Sequence, residues 1–285
     1  MFTSHPAAVS WLDHLNTFAD GAAILGIGAI LGFLAKEFIF PLLFESWKDR
    51  RALAEIYVRY RDPLYLAAEE LANRLHEICV DYPTNFLGHD IRRLSARRLE
   101  KNSAADPYYR KYKFVSTVYR FCAFLGWLEL YRSQVVFLDS GRRSQNRKFT
   151  AALHEIRSDL ADGHLNANHE TWPDHLIFRE ELRAIGEAMI CQDGNENKNI
   201  MGYRRFADIY LSSGLEHERK VWFECAAGFF ENPPDNTEEN FRYVRMCRLF
   251  LHLVDLMSVL NESRVPQRSL KYREELSGTV AAAVS

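Results

Sequence analysis

The chain has 285 residues, of which 47% are hydrophobic and 26% charged, and this balance excludes an intrinsically disordered protein. The net charge of −2 conceals an asymmetry: residues 45–150 carry 20 Lys or Arg against 13 Asp or Glu, whereas residues 151–285 carry 15 against 22. The basic half is therefore expected to pack on the acidic half or to face an anionic surface. The five cysteines include no CxxC spacing, which indicates reduced, buried thiols and predicts no disulfide framework, metal or cofactor.

The first predicted element is a transmembrane helix over residues 21–45, preceded by a short extracytoplasmic N-terminus of residues 1–20. Gly21–Ala35 is a run of fifteen uncharged residues, and Phe38–Phe44 extends it to a 24-residue stretch. That length is sufficient to cross about 30 Å of hydrocarbon. A buried or interfacial helix and a secretory signal peptide are the alternatives. The signal peptide is disfavoured because no Lys or Arg precedes Lys36.

Charged residues in and after this apolar stretch predict how the protein is placed in the bilayer. Lys48, Arg50 and Arg51 follow the stretch closely. By the positive-inside rule, they place the main domain in the cytoplasm of a bacterial inner membrane and the N-terminus outside. Lys36 and Glu37 lie inside the stretch, where pairing between subunits or a polar pore mouth would accommodate them.

The predicted span also carries a face of small residues. Gly28 and Gly32 form a GxxxG pattern. Small residues let helices approach closely in lipid, where no hydrophobic force drives them together. The pattern therefore predicts a homo-oligomer that assembles within the lipid bilayer.

Residues 46–276 are predicted to form a cytoplasmic multi-helix bundle, so the fold class is all-α with an N-terminal single transmembrane helix. Helical spacing of apolar residues dominates this region, and the alternation that marks strands is scarce. Asp62 and Pro63 are predicted as the N-cap and first residue of one helix. Another long helix is predicted over Pro107–Leu138, and residues 277–285 are predicted to be a disordered tail.

Pairs with the spacing of a helical nuclease motif, Arg-x4–6-His, occur three times, as Arg147–His154, Arg157–His164 and Arg245–His252. Random placement of 27 Arg and 10 His in 285 positions gives about three such pairs, so the spacing alone carries no information. Arg157 and His164 lead into a polar loop and are the candidate catalytic pair if the protein is an RNase. The neighbouring segment "HLNANHETWPDH" also holds His169 and His175, which either bind zinc or are solvated; their uneven spacing favours solvation, and no metal site is predicted.

Two basic stretches are candidates for a contact surface. Arginine interleaved with aromatic residues suits an anionic membrane surface, a nucleic acid or a nucleotide, and a solvated helix face is the structural alternative. A nucleotide or nucleic acid is thus a candidate trigger. The predicted surface residues are Arg92, Arg93, Arg97, Arg98, Arg110 and Lys111.

Glu129 is the only charged residue between Phe121 and Tyr131, so its carboxylate is expected to be buried and to need a cation. Arg132 lies one helical turn away, and Gly186 in a later helix leaves room for a close neighbour. We interpret the surrounding charges as a structural ion-pair network, with a ligand site or switch as the alternative. The residues assigned to it are Arg74, Glu129, Arg132, Arg179, Arg183 and Glu187.

Four segments together resemble a family of bacterial helical, membrane-anchored proteins that has no known activity. They are "YRDPLYLAAEELANRL", "FLGWLELYRSQVVFLDSG", "FREELRAIGEAM" and "RLFLHLVDLMSVLN", which fall between Tyr60 and Asn261. The resemblance implies no reaction, substrate or cofactor.

The sequence therefore predicts a single-pass inner-membrane protein that oligomerises and acts as a regulated, membrane-permeabilising effector, with a possible role in bacterial defence or stress. A membrane-tethered RNase resembling HEPN proteins and a non-enzymatic membrane scaffold are the alternatives. The prediction leans against an enzyme, since no complete catalytic motif is present.

Overall fold

The computed structural model describes residues 40–81, 87, 107–135, 144–163, 169–192, 198–213, 217–231 and 241–284. Contacts divide the chain into two units, Met1–Leu53 and Ala54–Ser285, and every site discussed below lies in the second unit. The described residues are mostly helical, which confirms the all-α class. The helices are α1 (Phe40–His76), α2 (Pro107–Val135), α3 (Ser144–Ala161), α4 (Trp172–His175), α5 (Arg179–Met189), α6 (Tyr203–Tyr210), α7 (Glu218–Phe230), α8 (Phe241–Asn261) and α9 (Gln267–Val284).

Helix α1 is longer than the sequence predicts. Asp62 and Pro63 lie inside it, so their prediction as a helix start is wrong. Pro63 removes one backbone hydrogen bond, but Tyr60 and Leu64 on either side are buried in the core, and this packing offsets the loss. Asp62 pairs with the guanidinium of Arg264 at 3.3 Å instead of capping a helix.

Helices α2 and α5 cross at two glycines. A Cβ atom on Gly126 would lie 2.8 Å from the Cβ of Met189, and one on Gly186 would lie 2.7 Å from the carbonyl oxygen of Leu125. Both distances are too short for a real side chain, so the two backbones approach this closely only because these residues are glycine. The crossing fixes where α5 presents its charged first turns.

Aromatic residues from the remaining helices fill the core. The rings of Phe121 and Phe230 join α2 to α7 with their centroids 5.3 Å apart. The rings of Phe206 and Phe223 join α6 to α7 with their centroids 4.7 Å apart. Helix α8 packs along α3 on one side and α9 on another, and most of its length is buried.

A short β-hairpin interrupts the helical pattern. Strand β1 (Ile190–Gln192) follows α5 directly and pairs antiparallel with β2 (Lys198–Ile200), with Ile190 opposite Ile200. Three-residue strands are too short to show an alternating pattern, which explains why the sequence does not predict them. The hairpin places Ile200 against Gly126 of α2.

The structure describes the C-terminal residues up to Val284 but only the last part of the predicted transmembrane span. Helix α9 continues to Val284 and buries Leu276 and Val280, whereas the sequence predicts a disordered tail over 277–285. Within the described residues, no helix combines the length and the apolarity that a membrane crossing requires. The predicted span over 21–45 lies outside these residues except for its last six positions, which begin α1.

Candidate ligand-binding sites

Helices α2, α3 and α5 enclose a cleft of about 210 Å³, which we call the arginine cleft. Its floor is apolar and includes Leu125 and Ile156. Its charged lining residues are Glu129, Arg157, Arg179, Glu180 and Arg183. Sequence reasoning singled out four of these five, and the cleft brings all of them to one place.

Glu129 lines this cleft and is 6% exposed. Arg132 donates two hydrogen bonds to its carboxylate, with N–O distances of 2.8 and 2.5 Å. This forked pair neutralises the buried carboxylate, which needs a hydrogen-bonded cation to be stable there. Gly186 makes room for it, because a Cβ atom at that position would lie 2.9 Å from the Cβ of Glu129.

Arg179 closes one edge of the cleft through a second forked pair. Its guanidinium lies 2.8 and 2.9 Å from the two carboxylate oxygens of Asp162. The pair ties the first turn of α5 to the end of α3. The carboxylate of Asp162 thus neutralises the charge of Arg179, as the carboxylate of Glu129 neutralises that of Arg132.

Arg157 is different, because its guanidinium has no hydrogen bond or ion pair within the part of the chain that the structure describes. Burial lowers its pKa, and the positive charges of Arg132, Arg183 and Arg179 lower it further, whereas only Glu129 opposes them. Among the described residues, the positive charges that act on Arg157 thus outnumber the negative ones. A half-buried cation in such surroundings is a favourable contact for an anion.

A second polar centre joins α3 to α8 on the far side of α3. Asp159 is completely buried, and its carboxylate accepts hydrogen bonds from Arg248 at 2.6 Å and from Nδ1 of His252. Arg245, also completely buried, donates to the backbone carbonyls of Asp159 and Asp162. We call these four side chains, Asp159, Arg245, Arg248 and His252, the Asp159 cluster.

The Asp159 cluster explains one of the three Arg–His pairs in the sequence. Arg245 and His252 reach the same aspartate from two turns of α8, so this pair is structural. The sequence analysis missed Asp159 because it considered each helix alone. The sequence did contain a signal for it. Asp159 is an acidic residue beside the apolar stripe of Ile156 and Leu160, and a charge buried there needs a partner.

A larger cavity of about 360 Å³, the His175 cavity, lies between α4, the segment that follows it, the first turn of α5, α7 and α8. His175 is 6% exposed, and its Nδ1 accepts a hydrogen bond from Nε of Arg245 at 3.1 Å. Its Nε2 has no hydrogen-bond partner among the described residues. Burial lowers the pKa of His175, as do the charges of Arg245 and Arg242, against a weaker opposite effect of Asp174.

The wall of the His175 cavity is acidic. Its charged residues are Asp174, Glu181, Glu224 and Arg242. Arg242 donates its hydrogen bonds to the backbone carbonyls of Asp174 and Glu231. Burial and the neighbouring carboxylate of Glu181 raise the pKa of the Cys225 thiol, also in this wall, to about 11.

The other predicted site residues lie apart from these cavities. Arg74 is buried and contacts Glu77 at 3.2 Å and the hydroxyl of Ser116 at 3.2 Å, so it does not join Glu129. Glu187 is exposed on α5 and lines neither cavity, but its charge helps to raise the pKa of Arg132, as the sequence analysis grouped them. Arg110 and Lys111 lie on α2. Several candidates fall outside the described residues, namely Gly28, Gly32, Lys36, Glu37, Arg92, Arg93, Arg97, Arg98 and His164.

The histidine-rich segment does not form a metal centre within the described structure. Among these residues, no three His, Cys, Asp or Glu side chains are arranged to hold an ion. His175 instead accepts a hydrogen bond from the buried Arg245.

Comparison with known proteins finds no match to a protein-family model, to a curated protein or to a solved structure. The resemblance to a bacterial membrane-anchored family therefore stays a prediction.

Proposed function

We propose that this protein is a single-pass effector of the bacterial inner membrane, whose helical domain binds an anionic ligand and whose N-terminal segments assemble to permeabilise the bilayer. The observation that carries the ligand-binding half is Arg157. Its guanidinium lines a cleft and makes no hydrogen bond or ion pair in the described structure, while the nearby Arg132 and Arg179 are held by carboxylates.

The size and lining of the arginine cleft favour a phosphate or carboxylate group as the bound part of the ligand. A volume of about 210 Å³ accommodates a small anionic group but falls below the usual range for a whole drug-sized ligand. A nucleotide would place its phosphates on Arg157 and Arg183 and leave its base outside. Guanidinium groups bind phosphate oxygens through forked hydrogen bonds, which suits this arrangement.

The membrane half of the proposal is supported by the sequence alone. The 24-residue apolar stretch that ends at Phe44 has the length of a span, and Gly28 and Gly32 supply a face for close helix packing. Lys36 and Glu37 would pair between subunits or line a polar pore mouth. In this arrangement the bound anion in the helical domain would regulate assembly of the spans.

The ligand-binding half is tested by calorimetry on the full-length protein in detergent, with pyrophosphate and ATP as probes. Arg157→Gln should weaken binding by about 10- to 100-fold, because it removes a charge-assisted contact of about 1.5–3 kcal/mol. Arg147→Gln is the matched control, since Arg147 is exposed on the same helix. Equal affinities for the two variants would reject the arginine cleft as the site.

The membrane half is tested by the mass of the detergent-extracted protein and by dye release from reconstituted vesicles. We expect an oligomer of four or more subunits that releases dye, and we expect the double substitution of Gly28→Leu and Gly32→Leu to lose both properties. A monomer or simple dimer without dye release would leave the scaffold alternative. Cleavage of RNA by the purified protein, abolished by His164→Ala, would instead establish the RNase.

A further inference from the structure

We propose that the arginine cleft binds an organic monocarboxylate, whose carboxylate contacts Arg157 and whose short apolar chain or ring lies on the floor of the cleft. This inference rests on the anion site of the proposed function and narrows its ligand to one chemical class. Three features of the cleft support it: the charges that are left unpaired, the apolar side chains of the lining and the volume.

Two of the five charged lining residues are already neutralised within the structure. The carboxylate of Glu129 accepts hydrogen bonds from Arg132, and Arg179 lies 2.8 Å from a carboxylate oxygen of Asp162. The charged lining residues that have no ion pair within the described part of the chain are Arg157, Glu180 and Arg183. Two guanidinium groups against one carboxylate leave one net positive charge among these residues, which matches a monoanion more closely than a phosphate of two or more charges.

Arg157 is the contact for the carboxylate of the ligand. Its side chain is half-buried and makes no hydrogen bond to another described residue, and none of its nitrogens is fully enclosed, so the guanidinium remains accessible to a ligand. Arg183 is exposed instead, so water competes more strongly for its charge. A carboxylate binds a guanidinium through forked, charge-assisted hydrogen bonds, and such bonds are stronger where bulk water is partly excluded.

Apolar side chains from three helices make up the rest of the described lining. They are Leu125, Leu128, Ile156, Leu160 and Leu182. An inorganic anion keeps its hydration and gains nothing from such a surface, whereas a hydrocarbon group displaces water from it. The lining therefore favours an anion that carries an apolar group.

The volume of the cleft limits the size of this apolar group. In another protein, a dry apolar cavity of about 150 Å³ holds benzene. At about 210 Å³, the arginine cleft has room for a group of that size together with a carboxylate. Hexanoate and benzoate have these dimensions, whereas a long-chain fatty acid would extend beyond the cleft.

The test compares three probes on the full-length protein in deuterated detergent, by saturation-transfer NMR titration with protein-free micelles as the blank. Hexanoate carries both predicted features, acetate lacks the chain and hexanamide lacks the charge. We expect hexanoate to bind at least about tenfold more tightly than acetate, since each buried methylene group contributes about a factor of four. We expect a preference of about tenfold or more over hexanamide, because the amide loses the charge-assisted contact. Equal affinities in either comparison would overturn the proposal.

Two substitutions locate the two contacts. Arg157→Gln should weaken hexanoate and acetate alike by about tenfold or more, whereas Arg147→Gln, at an exposed position of the same helix, should leave both unchanged. Leu182→Ala should reduce the preference for hexanoate over acetate severalfold, whereas Val221→Ala, at an exposed position of α7, should leave it unchanged. If Leu182→Ala does not fold, the comparison of hexanoate with acetate on the unaltered protein still decides.

The outcomes also separate this inference from the proposed function. Binding of pyrophosphate that depends on Arg157, together with equal affinities for hexanoate and acetate, would retain the anion site and reject the monocarboxylate. An Arg157→Gln variant that binds every anion as tightly as the unaltered protein would reject both.

Discussion

The arginine cleft and the His175 cavity both border on the first turns of α5, and yet their described lining residues differ in charge, since arginines predominate in the first and carboxylates in the second. Arg179 and Arg183 of α5 face the first, and Glu181 of the same helix faces the second. Residues two apart on a helix point in roughly opposite directions, so one alternation of charge in the sequence supplies both sites. One helix thus contributes positive side chains to one cavity and a negative side chain to the other, although the remaining lining of the two cavities comes from different helices.

The two cavities are also joined by a chain of contacts. Arg245 donates to His175 of one cavity and to the backbone carbonyl of Asp162, and the carboxylate of Asp162 holds Arg179 of the other. This chain of contacts is a physical connection between the two cavities, and a change in the affinity of one site upon binding at the other would measure their coupling.

The largest effect is expected from removing Arg245, because both cavities depend on it. Arg245→Leu leaves two buried carbonyls and Nδ1 of His175 without their donor, which should lower the free energy of unfolding by about 3–5 kcal/mol. Urea denaturation measures the change. The exposed Arg204 provides the control, since Arg204→Leu should cause little change. An unchanged affinity of Arg245→Leu for pyrophosphate would show that the arginine cleft does not depend on this residue.

The next effect compares two glycines, Gly186 at the crossing of α2 and α5 and Gly228 in the wall of the His175 cavity. Gly186→Ala should lower the free energy of unfolding by about 1–3 kcal/mol, because its Cβ would meet the carbonyl of Leu125 at 2.7 Å. Gly228→Ala in the wall of the His175 cavity meets no atom within 4 Å, and helix propensity should stabilise the protein by up to about 1 kcal/mol. Thermal unfolding of the two variants should therefore shift in opposite directions, and shifts in the same direction would contradict the described crossing of α2 and α5.

A smaller effect is expected on the pH dependence of the free energy of unfolding, and it involves only the His175 cavity. Burial, Arg245 and Arg242 lower the pKa of His175 in the folded state, and Asp174 opposes them weakly. The unfolded chain therefore takes up the proton first as the pH falls below about 6.5, and the contribution of His175 to stability is lost in that window.

Urea denaturation between pH 7.5 and 5.5 measures this contribution. His175→Gln should make the loss of stability over this range smaller, whereas Arg157→Gln, in a cleft without histidine among its described lining residues, should leave it unchanged. An identical pH dependence for all three proteins would show that His175 does not titrate differently in the folded and unfolded states.

The last and smallest effect is expected in the rate at which the thiol of Cys225 is chemically modified. Burial and Glu181 raise the pKa of Cys225 to about 11, so its thiolate fraction at pH 7.5 should be about 100-fold below that of a free cysteine. Reaction with Ellman's reagent, followed by mass spectrometry of the labelled peptide, should be correspondingly slow. Glu181→Gln removes one cause of the shift and should accelerate it, whereas labelling at the rate of free cysteine would show that the thiol is not shielded.

Sequence periodicity was sufficient to predict the all-α fold class, because the spacing of apolar residues shows which face of each helix is buried. It was also sufficient to find Glu129, Arg132, Arg179 and Arg183, since charged residues inside apolar runs stand out within a single helix. It failed at Pro63, where a local rule for starting helices competes with the burial of Tyr60 and Leu64 on both sides. Tertiary packing decided that case, as it often does against propensity.

By itself, the sequence determined which local features each helix contributes: the apolar stripes, Gly186 at the α2–α5 crossing and the alternating charges of α5. Only the tertiary structure decided that Asp159 is completely buried against α8, that Arg157 lines a cleft without forming an ion pair among the described residues, and that His175 accepts a hydrogen bond from Arg245. These contacts join residues about 70 to 90 positions apart, such as Arg245 with His175 and Arg248 with Asp159. Local spacing carries no information about which helices meet, because that choice depends on how all of the apolar faces pack together.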